Sequence, residues 1–265
     1  MKRTLSLLLT FVLFTTLSAL SAEMKFAQVS DAMFSAGDEH SVRNLQNVIH
    51  DINKQRDLSF VIFTGNNISK PNKNNLEEFL NNTKKLNVPY YVLIGNKDVN
   101  KQKDLSKSEY MKIVQKEVRA HKKIDSPNYV FEKNGVVFIV ADGAKEVIPS
   151  PIGYYKADVL AWLDEQLNKY SNKNVVIIQH FPLIPPCKKE NKYTYKAQDY
   201  LHLLAKHKNV KAVIAGHYNT NSEQKVNGIL HISTENVPTY KIIEILDYNT
   251  QNPTFWSFCR QLGEN

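Results

Sequence analysis

The sequence has 265 residues, 42% of them hydrophobic, and a formal charge of +8. That length and composition suit one well-cored globular domain, and nothing beyond the first 22 residues is apolar enough to span a membrane. The lysines lie in Lys- and Asn-rich loops such as "KPNKNN" and "NKDVNKQKDLSK" rather than interleaved with aromatics on one element, which reads as a solvated face and excludes a nucleic-acid groove.

The chain opens with "MKRTLSLLLTFVLFTTLSALSAE". Lys2 and Arg3 precede an apolar run, and the small residues Ala19, Ser21 and Ala22 precede Glu23. These are the three parts of a secretory signal. The clearly apolar stretch, Leu5 to Phe14, is short for a membrane span, which needs roughly 20 residues. The expectation is a signal peptide over 1–22 and one domain over 23–265. The protein would be exported, periplasmic or secreted, and free of the membrane after cleavage. An uncleaved anchor is the alternative. Losing Lys2 and Arg3 leaves a charge of +6. For Cys187 and Cys259, one disulfide and two free thiols both stay open.

The first strand, in "MKFAQVSDAM", stops at Asp31. "GDEH" at 37–40 then reads as a helix start, followed by Val42, Leu45, Val48, Ile49 and Ile52 at helical spacing. "VIFTGNNISK" ends at Gly65 and offers two amides, Asn66 and Asn67. A second helix, "NNLEEFLNNTKKL", follows. "YYVLIGNKDV" ends at Gly95 and presents Asn96, Lys97 and Asp98, with Asp98 expected to order the loop. "KSEYMKIVQKEV" is a third helix. Asn134-Gly135 between two β runs signals a hairpin. The helix "KADVLAWLDEQLNKY" leads to "NVVIIQHFPL", which stops at His180. After a helix around "YKAQDYLHLLAKH", the strand "VKAVIAGHYN" ends at Gly216 and presents His217 and Asn219. "NGILHIST", with His231 packed inside it, "TYKIIEILDY" and "PTFWSFC" close the chain as strands. Alternating strands and helices broken by hairpins predict an α/β fold of stacked sheets covered by helices.

Five buried-type strands thus end in Asp, Asn or His. Open α/β folds build their sites just past such ends. If the five ends converge, Asp31, Asn66, Asn96, His180 and His217 surround one point. In this order, Asp-x-x, Gly-Asn-x-x, Gly-Asn-x-Asp, Gln-His-x-Pro and Gly-His-x-x resemble the calcineurin-like metallophosphoesterases. The likeness runs from "VSDAM" to "AGHYN" and includes "LAWLDEQL" ahead of the His180 strand. It implies a four-layer αββα sandwich of two mixed sheets flanked by helices, and, in active members, two metal ions that support phosphoester hydrolysis.

The family pattern is Asp-x-His, Gly-Asp-x-x, Gly-Asn-His-Asp/Glu, His and Gly-His-x-His. Here Met33, Lys97 and Asn219 stand where histidines belong, and Asn66 stands where a carboxylate would bridge the metals. The resemblance assigns the surviving metal positions to Asp31, Asn66, Asn96, His180 and His217, and the catalytic positions to Asn96 and Lys97. The first ion would be left with one carboxylate, a thioether and two amides, a poor set for a hard cation. The second would have two imidazoles and two amides. At most one divalent transition ion (Zn, Mn or Fe) is expected, or none. Lys97 either pairs with Asp31 across the cleft or binds an anion. The expected function is a phosphoesterase-family protein with impaired or lost hydrolysis, because two-metal catalysis needs a metal-activated water and a clamp on both oxygens. The alternative is a binding protein that holds a phosphate ester or another anion. Substrate and oligomeric state are left open.

Overall fold

The computed structural model describes residues 23–262. The signal-peptide expectation lies outside the described residues. The elements run β1 (Glu23–Val29), α1 (Glu39–Lys54), β2 (Leu58–Phe63), α2 (Lys73–Thr83), β3 (Tyr90–Val92) and α3 (Lys107–Glu117). They continue with β4 (Tyr129–Lys133), β5 (Val136–Ala141), α4 (Ala157–Lys169), β6 (Val175–Gln179), α5 (Ala197–Ala205) and β7 (Val210–Ala215). The chain closes with β8 (Ser222–Val226), β9 (Ile229–Ser233), β10 (Thr239–Leu246) and β11 (Thr254–Gln261).

Local signals set several of these boundaries. Asp38 caps α1 by accepting from the His40 amide (3.1 Å), as "GDEH" predicts. Ser106 and Glu109 form a reciprocal capping box at α3. Asn134 and Gly135 take positive φ angles of 49° and 83°, which turn β4 into β5. β8, "SEQKV", is a strand the sequence does not announce. Its polar alternation gives little apolar signal, and pairing with β9 makes it a strand.

Two mixed sheets stack face to face. One has the order β11-β10-β1-β2-β3, the other β4-β5-β6-β7-β9-β8. β1, β2 and β3 are parallel, as are β5, β6, β7 and β9. Alternation divides the core. Phe26, Phe60, Phe138, Ile178, Ile214 and Ile243 fill the space between the sheets. Val29, Val61, Ile139 and Ile177 pack outward with helix residues such as Leu45, Phe79 and Leu163. This is the expected αββα sandwich.

Phe60 stacks on Phe26 (4.7 Å) and meets Phe138 edge-on (5.0 Å) across the sheet interface. Phe60→Ala should therefore cost about 3–5 kcal/mol. Urea unfolding reads this as a lower midpoint at unchanged slope. A shift under about 1 kcal/mol would mean that the interface can collapse around the gap.

Both cysteines are free thiols, which settles that question for the described residues. Among those residues no helix is long and apolar enough to cross a membrane.

Candidate functional site

Parallel strands point their C-terminal ends the same way, so β1, β2, β6 and β7 and the loop after β3 meet at one edge of the sandwich. Gln28 ties the sheets there, its amide donating to the Thr64 hydroxyl (3.2 Å) and the Ala215 carbonyl (2.8 Å). The approach is close enough to need glycine. A Cβ on Gly216 would collide with Ser30 Oγ. One on Gly65, at φ +88°, would lie 2.8 Å from His180 Nδ1. Asp31, Met33, Asn66, His217 and Asn219 also adopt left-handed backbone, with φ between 49° and 70°. Each such residue stores on the order of 1–2 kcal/mol of strain.

The five strand-end side chains named from the sequence do converge. Asp31 is buried and its carboxylate accepts three hydrogen bonds. Oδ1 accepts from Asn66 Nδ2 (2.9 Å), and Oδ2 accepts from the Ser30 hydroxyl (2.6 Å) and the His217 amide (2.8 Å). Asn66 completes the span, its Oδ1 accepting from the Lys97 amide (2.9 Å). A carboxylate at 66 would face Asp31 oxygen to oxygen. The carboxamide supplies a donor to one side and an acceptor to the other. Asp31 and Lys97 do not pair, contrary to one of the two sequence expectations. The carboxylate has three protein donors already, and Lys97 is exposed.

His180 Nδ1–H donates to the Thr64 carbonyl (2.7 Å), which leaves a lone pair on Nε2, 3.3 Å from Asn96 Oδ1. The amide orientation that satisfies both groups turns the Asn96 NH2 toward Nε2. His217 Nε2–H donates to the Pro151 carbonyl (2.8 Å). Its Nδ1 is buried and has no hydrogen-bond partner. The two imidazole rings lie 4.9 Å apart. Burial lowers the pKa of both, that of His217 to about 2, so His217 is neutral. Asp98 does order the loop. Its buried carboxyl accepts from the amides of Ile68 (3.0 Å) and Gly95 (2.7 Å), while burial pushes its pKa up to about 7.

Two cleft residues are not singled out by the sequence. Lys192 Nζ donates to the His217 carbonyl (2.6 Å) and Lys189 Nζ to the Tyr218 carbonyl (2.6 Å). They sit in "CKKENK", where nothing distinguishes them from solvated lysines. Only the return of this segment over β7 brings them to the site. Three ammonium groups, Lys97, Lys189 and Lys192, thus share the cleft mouth with the Asp31 carboxylate.

These residues do not fit a two-ion centre. Among the described residues no three His, Cys, Asp or Glu side chains are gathered as a metal cluster. Asp31 commits three of its roughly four lone-pair sites to protein donors, Met33 and Asn219 offer no charge, and Asn66 is locked in place by two hydrogen bonds. What survives is a neutral trio: the lone pairs of His180 Nε2 and His217 Nδ1, and the Asn96 carboxamide.

The model of the family described as calcineurin-like phosphoesterase matches residues 24–219. A Xenorhabdus bovienii protein named "Probable cyclic nucleotide phosphodiesterase" is 25% identical over 182 residues. That match spans 65% of this chain and 65% of the relative. Among solved structures, a dimetal phosphatase from Danio rerio superposes with a TM-score of 0.64 at 14% identity, covering 88% of this chain and 98% of the other. GAP50, the anchor in the inner membrane complex of Plasmodium, gives a TM-score of 0.60 at 13% identity, covering 91% and 90%. TT1561 of Thermus thermophilus gives 0.61 at 13% identity, covering 89% and 99%. These structures share the fold. With the family model spanning most of the sequence, from the Asp31 strand to Asn219, the chain belongs to the calcineurin-like phosphoesterase family.

Proposed function

We propose that this protein is an exported family member whose hydrolysis is impaired or lost, and whose cleft binds a phosphate ester or similar anion rather than turning it over. One observation carries the proposal: the Asn66 carboxamide spans the Asp31 carboxylate and the Lys97 amide, in the position where the family pattern places a bridging carboxylate. A neutral amide in that role removes the charge that would hold two dications together. The lysines support the anion half. Lys97, Lys189 and Lys192 outnumber the single carboxylate among them, and an ammonium attracts a phosphate as a point charge. The export half rests on the signal-like residues 1–22, so the setting would be periplasmic or secreted. Nothing in the cleft calls for nucleic acid.

A second reading has its own support. The unpartnered His217 Nδ1 beside His180 Nε2 and Asn96 is a donor set for one weakly held Zn, Mn or Fe ion, and so for a slow one-ion hydrolase.

Elemental analysis of the purified mature chain separates the two, run with a screen of phosphomonoesters and phosphodiesters. The Xenorhabdus relative's name makes a cyclic nucleotide the first ester to try. Binding without catalysis predicts well under one equivalent of metal and no turnover above buffer. It also predicts protection against heat by millimolar phosphate that falls several-fold in Lys97→Ala. One equivalent of metal, lost together with turnover in His180→Ala, would establish the slow hydrolase instead.

A further inference from the structure

The segment from Pro182 to Lys196 runs from the end of β6 toward α5 and is fastened over the cleft at several points. Thr194 Oγ1 donates to the Pro182 carbonyl (2.8 Å). The main chain pairs with Gly153 on the facing loop, from Gly153 to the Tyr193 carbonyl (2.9 Å) and from Tyr195 to the Gly153 carbonyl (2.8 Å). That same loop supplies the Pro151 carbonyl that fixes the His217 ring. The Tyr218 hydroxyl donates to the Lys192 carbonyl, while the Lys192 ammonium donates back to the His217 carbonyl (2.6 Å). Lys192 is therefore a tethered, half-buried cation, held from both ends by the residues that follow β7.

We propose that the Lys192 ammonium is the resident cation of this cleft: it takes the electrostatic place of a metal beside Asp31, His180 and His217, and it keeps divalent ions out. The proposal deepens the reading given above, on which it rests, by naming what replaced the lost ions.

The charges around Lys192 agree. Burial lowers its proton affinity most, the Asp31 carboxylate raises it, and Lys189 and Lys97 lower it. The Lys192 charge in turn disfavours protonation of both His180 and His217. All three strand-end groups of the old centre thus feel this one ammonium. A dication on the His180 and His217 lone pairs would sit beside a fixed positive charge in a site that water screens poorly. The chain therefore needs no ion to neutralise Asp31. The tether also explains why the surviving imidazole lone pairs need not imply a metal.

The test is a Zn2+ titration by calorimetry and by thermal unfolding on the full mature chain, with Lys192→Met, Lys192→Gln and Lys192→Arg. The wild type and Lys192→Arg should bind Zn2+ weakly and show little metal-dependent change in Tm. Lys192→Met and Lys192→Gln should bind at least ten-fold tighter, and adding His180→Ala to either should abolish the gain. Neutral variants that bind no tighter than the wild type overturn the proposal. So does a wild type that already binds as tightly as they do. If the neutral variants do not fold, the wild type alone decides. In that case one tightly held equivalent of Zn2+ that raises the wild-type Tm overturns the proposal. Turnover is scored separately. A metal-free, inert wild type with indifferent Lys192 variants removes only the resident-cation inference. A metal-loaded, active wild type removes the loss of catalysis beneath it.

Discussion

Asn66→Asp should make the protein's stability depend on a divalent cation. The Asn66 Nδ2 now donates to Asp31 Oδ1 at 2.9 Å in a buried site. The substitution keeps the shape and places an oxygen where that donor was. Two buried carboxyl groups at this distance cannot both ionise, so one is forced to hold a proton, which it shares with the other. Keeping that proton at neutral pH, where an Asp of the unfolded chain is ionised, costs on the order of 3 kcal/mol. For a domain of this size that is a fall in Tm of roughly 6–12 °C. The Lys97 amide keeps its acceptor, so the loop itself should hold. Millimolar Zn2+ or Mn2+ should restore much of the loss, because the new pair gives His180 and His217 the anionic partner they lack. Thermal unfolding in EDTA and in metal measures both effects. A variant as stable as the wild type in EDTA would show that the Asp31–Asn66 bond does not hold the cleft together.

Mild acid should destabilise the fold steeply. Burial holds His121 at a pKa of about 3, His217 at about 2 and His231 at about 4. His121 Nε2 accepts from the Val92 amide (3.1 Å), a bond that needs the neutral ring. In the unfolded chain each of these groups titrates near 6.5. Between that value and the folded pKa the unfolded state binds protons that the folded state refuses. The stabilisation is therefore complete above about pH 6.5 and is lost as the pH falls. Each histidine contributes a slope of about 1.4 kcal/mol per pH unit, and Asp98, whose buried carboxyl takes up a proton near pH 7 in the folded state, opposes one of them, so the net is about 2.7 kcal/mol per unit down to about pH 4. From about pH 6.5 to about pH 4.5 the loss is about 5 kcal/mol, which reaches the low end of an ordinary total of about 5–15 kcal/mol. Urea unfolding at pH 7.5, 6 and 5 gives the slope. His121→Gln, which keeps an acceptor for the Val92 amide, should remove about half of it. Equal stability at pH 7.5 and pH 5 would contradict the neutral, buried state of these rings.

The sheets and most of the helices were legible because their signals are local. Val61-Ile62-Phe63 reads as a buried strand whatever surrounds it, Asn134-Gly135 as a hairpin, and Asp38 as a cap. The convergence of Asp31, Asn66, Asn96, His180 and His217 was legible for a different reason: parallel strands end on the same side. What the sequence could not carry was any relation set by a long connection. Lys189 and Lys192 reach β7 only because the chain after β6 folds back across the cleft. The Pro151 carbonyl fixes His217 from a loop more than sixty residues away in sequence. β8 was hidden because a polar edge strand differs little in pattern from a loop. The "NIS" sequon at Asn67 shows the same blindness. It reads as a glycosylation acceptor, yet the Asn67 amide is buried and donates to the Leu93 carbonyl (2.9 Å) and the Tyr110 hydroxyl (2.8 Å).

The left-handed turns at Asp31, Met33, Asn66, His217 and Asn219 have an evolutionary consequence. Some of these conformations are held by neighbouring main chain, such as the Met33 amide on the Asn66 carbonyl (2.9 Å), and others by side chains, such as the Asp31 carboxylate on the His217 amide (2.8 Å). Met33, fixed by its amide rather than its side chain, can therefore be exchanged while the mould keeps its form, whereas Asp31 and Asn66 cannot be changed without a cost in stability. A lineage could change a ligand of the first kind without passing through a misfolded ancestor. The same path runs in reverse. Met33→His, Asn66→Asp and Asn219→His would land on a backbone already bent to receive them. The proposed binder and a hydrolase would then be neighbours in sequence space, separated by a few side chains rather than by a fold.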